Sequence, residues 1–162
     1  MSRPAHRNIE TVTTALIERG ANPARVARLR VLADAVTTAA AAAEALGVEV
    51  GAIANSLVFD ADGAPLLVLT SGAHRVNTAK AAALVGADLV RRATPEFVRA
   101  ATGQPIGGVA PVGHPNRLRT LVDRALERYP EVWAAGGVPH AVFPITFAEL
   151  ILVTGGEPAE VA

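Results

Sequence analysis

Two apolar runs, Ile53 to Phe59 and Pro65 to Thr70, stand on either side of Asp60-Ala61-Asp62-Gly63. Acidic residues ending in glycine supply turn geometry, because glycine takes a positive φ without a Cβ penalty. The stretch predicts a β-hairpin. Around it, helix and strand signals interleave. Ile9, Val12, Leu16 and Ile17 share one face of a helix from Asn8, its predicted cap, to Gly20. Arg28-Leu29-Arg30-Val31 alternates with the period of a half-buried strand. Thr37 or Thr38 then caps an alanine-rich helix through Leu46, closed by Gly47.

After the hairpin, Asn77 or Thr78 opens a short helix to Leu84, a strand follows near Asp88–Val90, and Thr94-Pro95-Glu96 starts another helix with proline in its first turn. From Gly103 to Pro115 the chain is rich in glycine and proline. Leu118–Val122 and Val132–Ala134 read as strands around a turn, and Thr146 with Glu149 is spaced as a capping box for a last helix ending at Gly155-Gly156. The elements do not form regular βαβ repeats, and no linker or charge block divides them. The expected class is one α+β domain over residues 1–162.

Half of the chain is hydrophobic, yet no apolar run approaches the roughly 18 residues of a membrane span. MSRPAHRNIE lacks the apolar stretch of a signal peptide, and the chain has no cysteine for disulfides or thiolate metal binding. A cytoplasmic protein is expected. Fifteen basic residues balance fifteen acidic ones. This charge balance argues against a DNA-wrapping protein and is compatible with gripping only the end of an RNA.

Three stretches in order carry a resemblance. The first runs from Thr38 through the alanine helix to Gly47-Val48 and on to Ile53-Ala54-Asn55-Ser56-Leu57-Val58-Phe59. The second is His74-Arg75-Val76-Asn77 with its helix, and the third is Gly107-Gly108-Val109-Ala110-Pro111-Val112-Gly113, which contains a GxxxP loop. With Ala135-Gly136-Gly137 and the helix Phe147–Val153, the set resembles the YbaK/ProX-like family of aminoacyl-tRNA editing domains. The resemblance implies a mixed sheet curled into a partial barrel with surrounding helices. It also implies hydrolysis of the ester in mischarged aminoacyl-tRNA without a cofactor, contact with the acceptor end, and prolyl-tRNA synthetase as a candidate partner.

Ester hydrolysis needs a held carbonyl, an aimed water and a stabilised oxyanion. Glycines let the main chain approach a carbonyl closely, so Gly107, Gly108, Val109, Ala110 and Pro111 are the candidate carbonyl-holding loop. Family members usually carry a lysine where this chain has Asn55, and asparagine keeps hydrogen bonding but supplies no charge. His140, after the glycine turn, could position water or take a proton. Ser56, Gly113, Gly136 and Gly137 are candidate substrate contacts. His74 and His114 lie near the same motifs, and His6 is expected at the surface. No histidine–carboxylate set has metal-ligand spacing, no serine has a nucleophile-elbow setting, and Asp123 with Glu127 reads as a solvated turn. Two other readings stay open: a binding protein of the same fold, and a synthetase-associated interaction module.

Overall fold

The computed structural model describes residues 3–34 and 36–162, with the side chains of residues 3–6, His6 among them, outside the described set. The hairpin forms as expected. Strands β2 (Ile53–Ala61) and β3 (Ala64–Ser71) pair from Ala54↔Ser71 to Ala61↔Ala64 around Asp62 and Gly63, both at positive φ. Asp60 Oδ1 accepts the Gly63 N–H at 2.7 Å and closes the reversal.

The alanine helix α3 (Ala39–Leu46) begins at Thr38, whose side chain accepts the Ala41 N–H, and ends at left-handed Gly47. Asn77 caps α4 (Thr78–Val85), and Thr94 caps α5 (Pro95–Thr102). Three expectations shift. Asn8 lies inside α1 (Arg3–Glu18) rather than capping it, and its Nδ2 donates to Gly137 O at 3.0 Å. The strand expected over Arg28–Val31 shrinks to β1 (Arg30–Val31), fully exposed. The Arg28 and Leu29 N–H groups instead close the turn after α2 (Pro23–Val26), on Arg25 O and Val26 O. The next strand starts only at β4 (Val90–Arg92), because the Asp62 carboxylate takes the Asp88 and Leu89 N–H groups at 2.8 and 2.9 Å.

Strands β5 (Arg119–Asp123) and β6 (Val132–Ala135) match expectation. Two further strands, β7 (Ala141–Ile145) and β8 (Glu157–Ala159), carry Pro144 and Pro158, which mask a strand signal in sequence. The eight strands among the described residues form one mixed, open sheet in the order β1-β7-β6-β2-β3-β5-β8, with β4 also on β2.

That last pairing decides where a site can lie. Strand β3 fills one edge of β2 over its length. The other edge is shared: β6 pairs in parallel at Ile53 and Ala54, and β4 pairs at Phe59 to Ala61. Residues 55–58 face a gap between them. The two faces also differ. Ala54, Leu67, Leu69 and Val122 join the main core with Val12 and Leu16 of α1. On the opposite face, Phe59, Val68 and Leu121 pack with Ala81 of α4, while Ile53 packs with Ala42 and Ala43 of α3. Asn55 and exposed Leu57 alternate onto this second face, between the two helix-covered patches. No helix among the described residues is long and apolar enough to cross a membrane.

The last helix, α6 (Phe147–Thr154), has the expected capping box, and Glu149 does more than cap. Its carboxylate accepts the Asn22 N–H at 2.6 Å, the Thr146 N–H at 3.0 Å and an Arg25 guanidinium N–H at 3.2 Å, tying α6 to α2. Desolvation works to raise the Glu149 pKa, but these bonds outweigh it and hold it below the usual carboxylate value. Because the folded pKa is depressed, the contribution is complete above the unfolded value of 4.5 and is lost as pH falls through the folded value. Glu149→Gln should therefore cost about 1–3 kcal/mol near neutral pH. The deficit against the parent should shrink below pH 4.5, as urea denaturation at a series of pH values would show.

Candidate active site

The GxxxP loop is fixed from behind by one residue that sequence reading did not single out. Gln104, buried, accepts the Ala110 N–H at 2.8 Å through Oε1 and donates to Val112 O at 3.2 Å through Nε2. The His114 Nε2–H donates to Ala110 O at 2.8 Å. Burial above all holds the His114 pKa below the usual imidazole value, with the Arg19 charge adding to it against the raising effect of that bond. Both backbone groups of Ala110 are thus occupied, and Gly108 N–H is taken by Pro105 O at 3.0 Å. The Gly107 and Val109 N–H groups bond no protein acceptor among the described residues. Of the two, Gly107 is exposed and can offer its donor to a ligand, while Val109 is 3% exposed.

Its two glycines do different work. Gly107 is exposed at φ +88°, and a Cβ there would meet open space. Gly108 is buried, and a Cβ would stand 2.5 Å from the Val138 carbonyl carbon and 2.6 Å from Pro139 N. Gly108 therefore lets the loop lie directly on the Gly136–His140 turn. That turn is itself seated on α1: a Cβ at Gly137 would stand 2.8 Å from Val12 Cγ2, and Gly136 is packed by Leu29 and Ala141. Gly113, half-buried, sits against Val12 and Gln104.

His140 holds φ +72°, and its Nδ1–H donates to Val36 O at 2.9 Å. In the neutral ring this leaves the Nε2 lone pair free, 4.0 Å from the Asp34 carboxylate. Asn55 reaches the same region through the sheet. Ala54 is paired with Ala134, so the next residue of β2 runs beside Ala135 and the start of the glycine turn. Its neighbour Ser56 presents the one buried side-chain oxygen that lacks a hydrogen-bond partner among the described residues. The structure thus brings the loop onto the His140 turn and sets Asn55 and Ser56 on the open edge beside that turn. Gly136, Gly137, Ala110 and Pro111 are buried and serve as its frame.

One reading is corrected. Asp123 is not in a solvated turn: it is 2% exposed. Its carboxylate accepts the Ser71 N–H at 3.0 Å, the Thr70 hydroxyl at 3.3 Å, the Ala125 N–H at 3.0 Å and His74 Nδ1 at 2.8 Å. A carboxylate at a strand end followed by a short 3-10 turn (Arg124–Arg128) looks solvated in sequence, because its partners come from a distant hairpin. Glu127 is exposed, as expected. No group of three histidine, aspartate or glutamate side chains among the described residues is arranged to hold a metal ion.

Comparison with known proteins agrees with this frame. Residues 33–152 match the profile of the Aminoacyl-tRNA editing domain. The chain belongs to that family, and its open mixed sheet is the YbaK-like editing fold. A solved structure described as a candidate trans-editing enzyme for prolyl tRNA synthetase is 43% identical, with a TM-score of 0.88 over 99% of this chain and 98% of that one. The Proline--tRNA ligase of Nitratidesulfovibrio vulgaris (strain DP4) is 42% identical over 82 residues, 51% of this chain and 14% of the ligase. That of Thermosipho melanesiensis (strain DSM 12029 / CIP 104789 / BI429) is 30% identical over 137 residues, 78% of this chain and 24% of the ligase. The chain thus spans less than a quarter of these ligases.

The glycine geometry separates the two positions experimentally. Gly107→Ala should cost about 1 kcal/mol, the penalty of a left-handed backbone with a Cβ. Gly108→Ala should cost more, about 1–3 kcal/mol or above, since rigid backbone must move. Urea denaturation of the two variants checks the order.

Proposed function

We propose that the chain is an aminoacyl-tRNA deacylase that acts in trans, hydrolysing the ester between a wrongly attached amino acid and the terminal ribose. The observation that carries this reading is the pair of unbonded loop donors, Gly107 N–H and Val109 N–H, on a loop seated against the His140 turn. Two amides aimed at one carbonyl oxygen would polarise it and receive the developing negative charge. His140, held through Nδ1, has Nε2 available to orient water or accept its proton. Asn55 would contact the ribose or the adjoining phosphate from the open edge of β2, and Ser56 Oγ has hydrogen-bonding capacity to spare.

In this reading the vicinal ribose hydroxyl assists and the mechanism is metal-free; the lack of cysteine supports this, as does the lack of an acidic or histidine trio among the described residues. Prolyl-tRNA synthetase is the proposed partner, supported by the ligases that share the domain. A second reading, binding without hydrolysis, is favoured by the neutral Asn55, where the family resemblance implies a charged lysine.

Incubation with alanyl-, cysteinyl-, seryl- and threonyl-tRNA on several tRNA bodies decides between them. Hydrolysis of at least one, retained in chelator, is expected. Loss of activity in chelator with recovery on added zinc would sink the metal-free mechanism. Binding with no hydrolysis across the panel would favour the binder. Asn55→Lys should raise affinity for the RNA end at low salt, and the gain should fade as salt screens the new ammonium. A folded variant with unchanged binding and rate would remove Asn55 from the site.

A further inference from the structure

Pro111 of the same loop also walls a small cavity of about 10 Å³. Arg19, His114, Asn116, Arg117, Thr120 and Thr154 line it, and no carboxylate does. It shares Arg19 and His114 with an open cleft of about 450 Å³ along α1. Both arginines stand at the C-terminal turn of α6. Arg19 Nη1 donates to Val153 O at 3.3 Å, and Arg117 Nη1 lies 3.0 Å from where a Gly155 Cβ would be. Capping that helix accounts for one of the five N–H donors of Arg19. Neither the Arg117 guanidinium nor the Asn116 amide bonds a protein group among the described residues. Two cations and a free amide thus converge on a space that admits about one oxygen atom.

We propose that this narrow end is a phosphate subsite. Arg117 and Arg19 hold one phosphate oxygen, Asn116 donates to another, and the remainder of the group stays in the open cleft. The outer cleft carries Glu10 and Glu18 beside Arg7, which disfavours a run of phosphates along α1 and confines the site to one. The ligand is a phosphate mono- or diester. Its assignment to the acceptor strand of an RNA rests on the deacylase reading, whereas phosphate binding itself does not.

The test follows the imidazole signals of the full chain by NMR during titration with inorganic phosphate, against sodium chloride at matched ionic strength. His114→Gln assigns the His114 signal. An anion beside Arg19 offsets that charge, so phosphate should raise the His114 pKa where chloride does not, and Arg117→Gln should abolish the response. The same variant should weaken binding of uncharged tRNA about fivefold at low salt, the size of one exposed charge-assisted contact. No response of His114 in the parent chain, or an equal one to chloride, overturns the subsite whatever the variant does. A phosphate response with unchanged tRNA affinity in Arg117→Gln sustains the subsite for a small phosphate ester and overturns the RNA source. An intact response in a chain inactive on every aminoacyl-tRNA counts against the deacylase reading alone.

Discussion

A β-strand has two edges, and in this protein the second edge of β2 is divided between two partners that do not meet. β6 holds Ile53 and Ala54 from one end and β4 holds Phe59 to Ala61 from the other. The unmet backbone groups of residues 55–58 cannot be left in a dry interior without a cost of a few kcal/mol. They must therefore open to water or to a ligand. The same division leaves Asn55 and Leu57 between the patches covered by α3 and α4. The candidate site is in this sense the place where the sheet fails to complete itself.

A gap in a sheet binds nothing unless the loops around it are held still, and three polar side chains, two of them buried, do this. Gln104 bonds both Ala110 and Val112, which leaves the GxxxP loop little freedom. Asp123 joins the end of β3, the start of the 3-10 turn and the His74 ring. Glu149 ties α6 to α2. Each finds main-chain partners for its lone pairs or amide groups, so the desolvation of these groups is compensated. The glycines complete the arrangement by contact: Gly108 and Gly137 bring three backbone segments closer than any side chain would permit.

Much of the framework was legible because its signals are local. The hairpin, the caps at Thr38, Asn77, Thr94 and Thr146, and the left-handed glycines at 47 and 155 each depend on residues within a few positions. What sequence missed is long-range. Asn8 looks like a cap until Gly137, far along the chain, claims its amide, and Asp123 looks solvated until Ser71 and His74 cover it. Strands β7 and β8 hide behind prolines whose missing N–H the sheet tolerates. At the site, the GxxxP glycines could be named but not told apart. Only the packing of Val138 and Pro139 distinguishes the glycine that builds the loop from the one facing solvent.

The charge pattern gives the last link. Equal numbers of acids and bases leave no general attraction for a polyanion, so any grip on RNA must come from local placement. In the strand this chain offers the neutral Asn55. Arg117, one of several arginines without an ion-pair partner among the described residues, stands instead behind the loop that Gln104 and His114 hold. Arg19, bonded to the end of α6 through Val153 O, has less conformational freedom to lose than a side chain on an open strand edge, and the planar fork of a guanidinium suits phosphate geometry. Under the two proposals, phosphate binding and hydrogen bonding at the reacting end are separate tasks. Phosphate binding would fall to Arg19 and Arg117, and hydrogen bonding at the reacting end would fall to Asn55, the loop amides and His140.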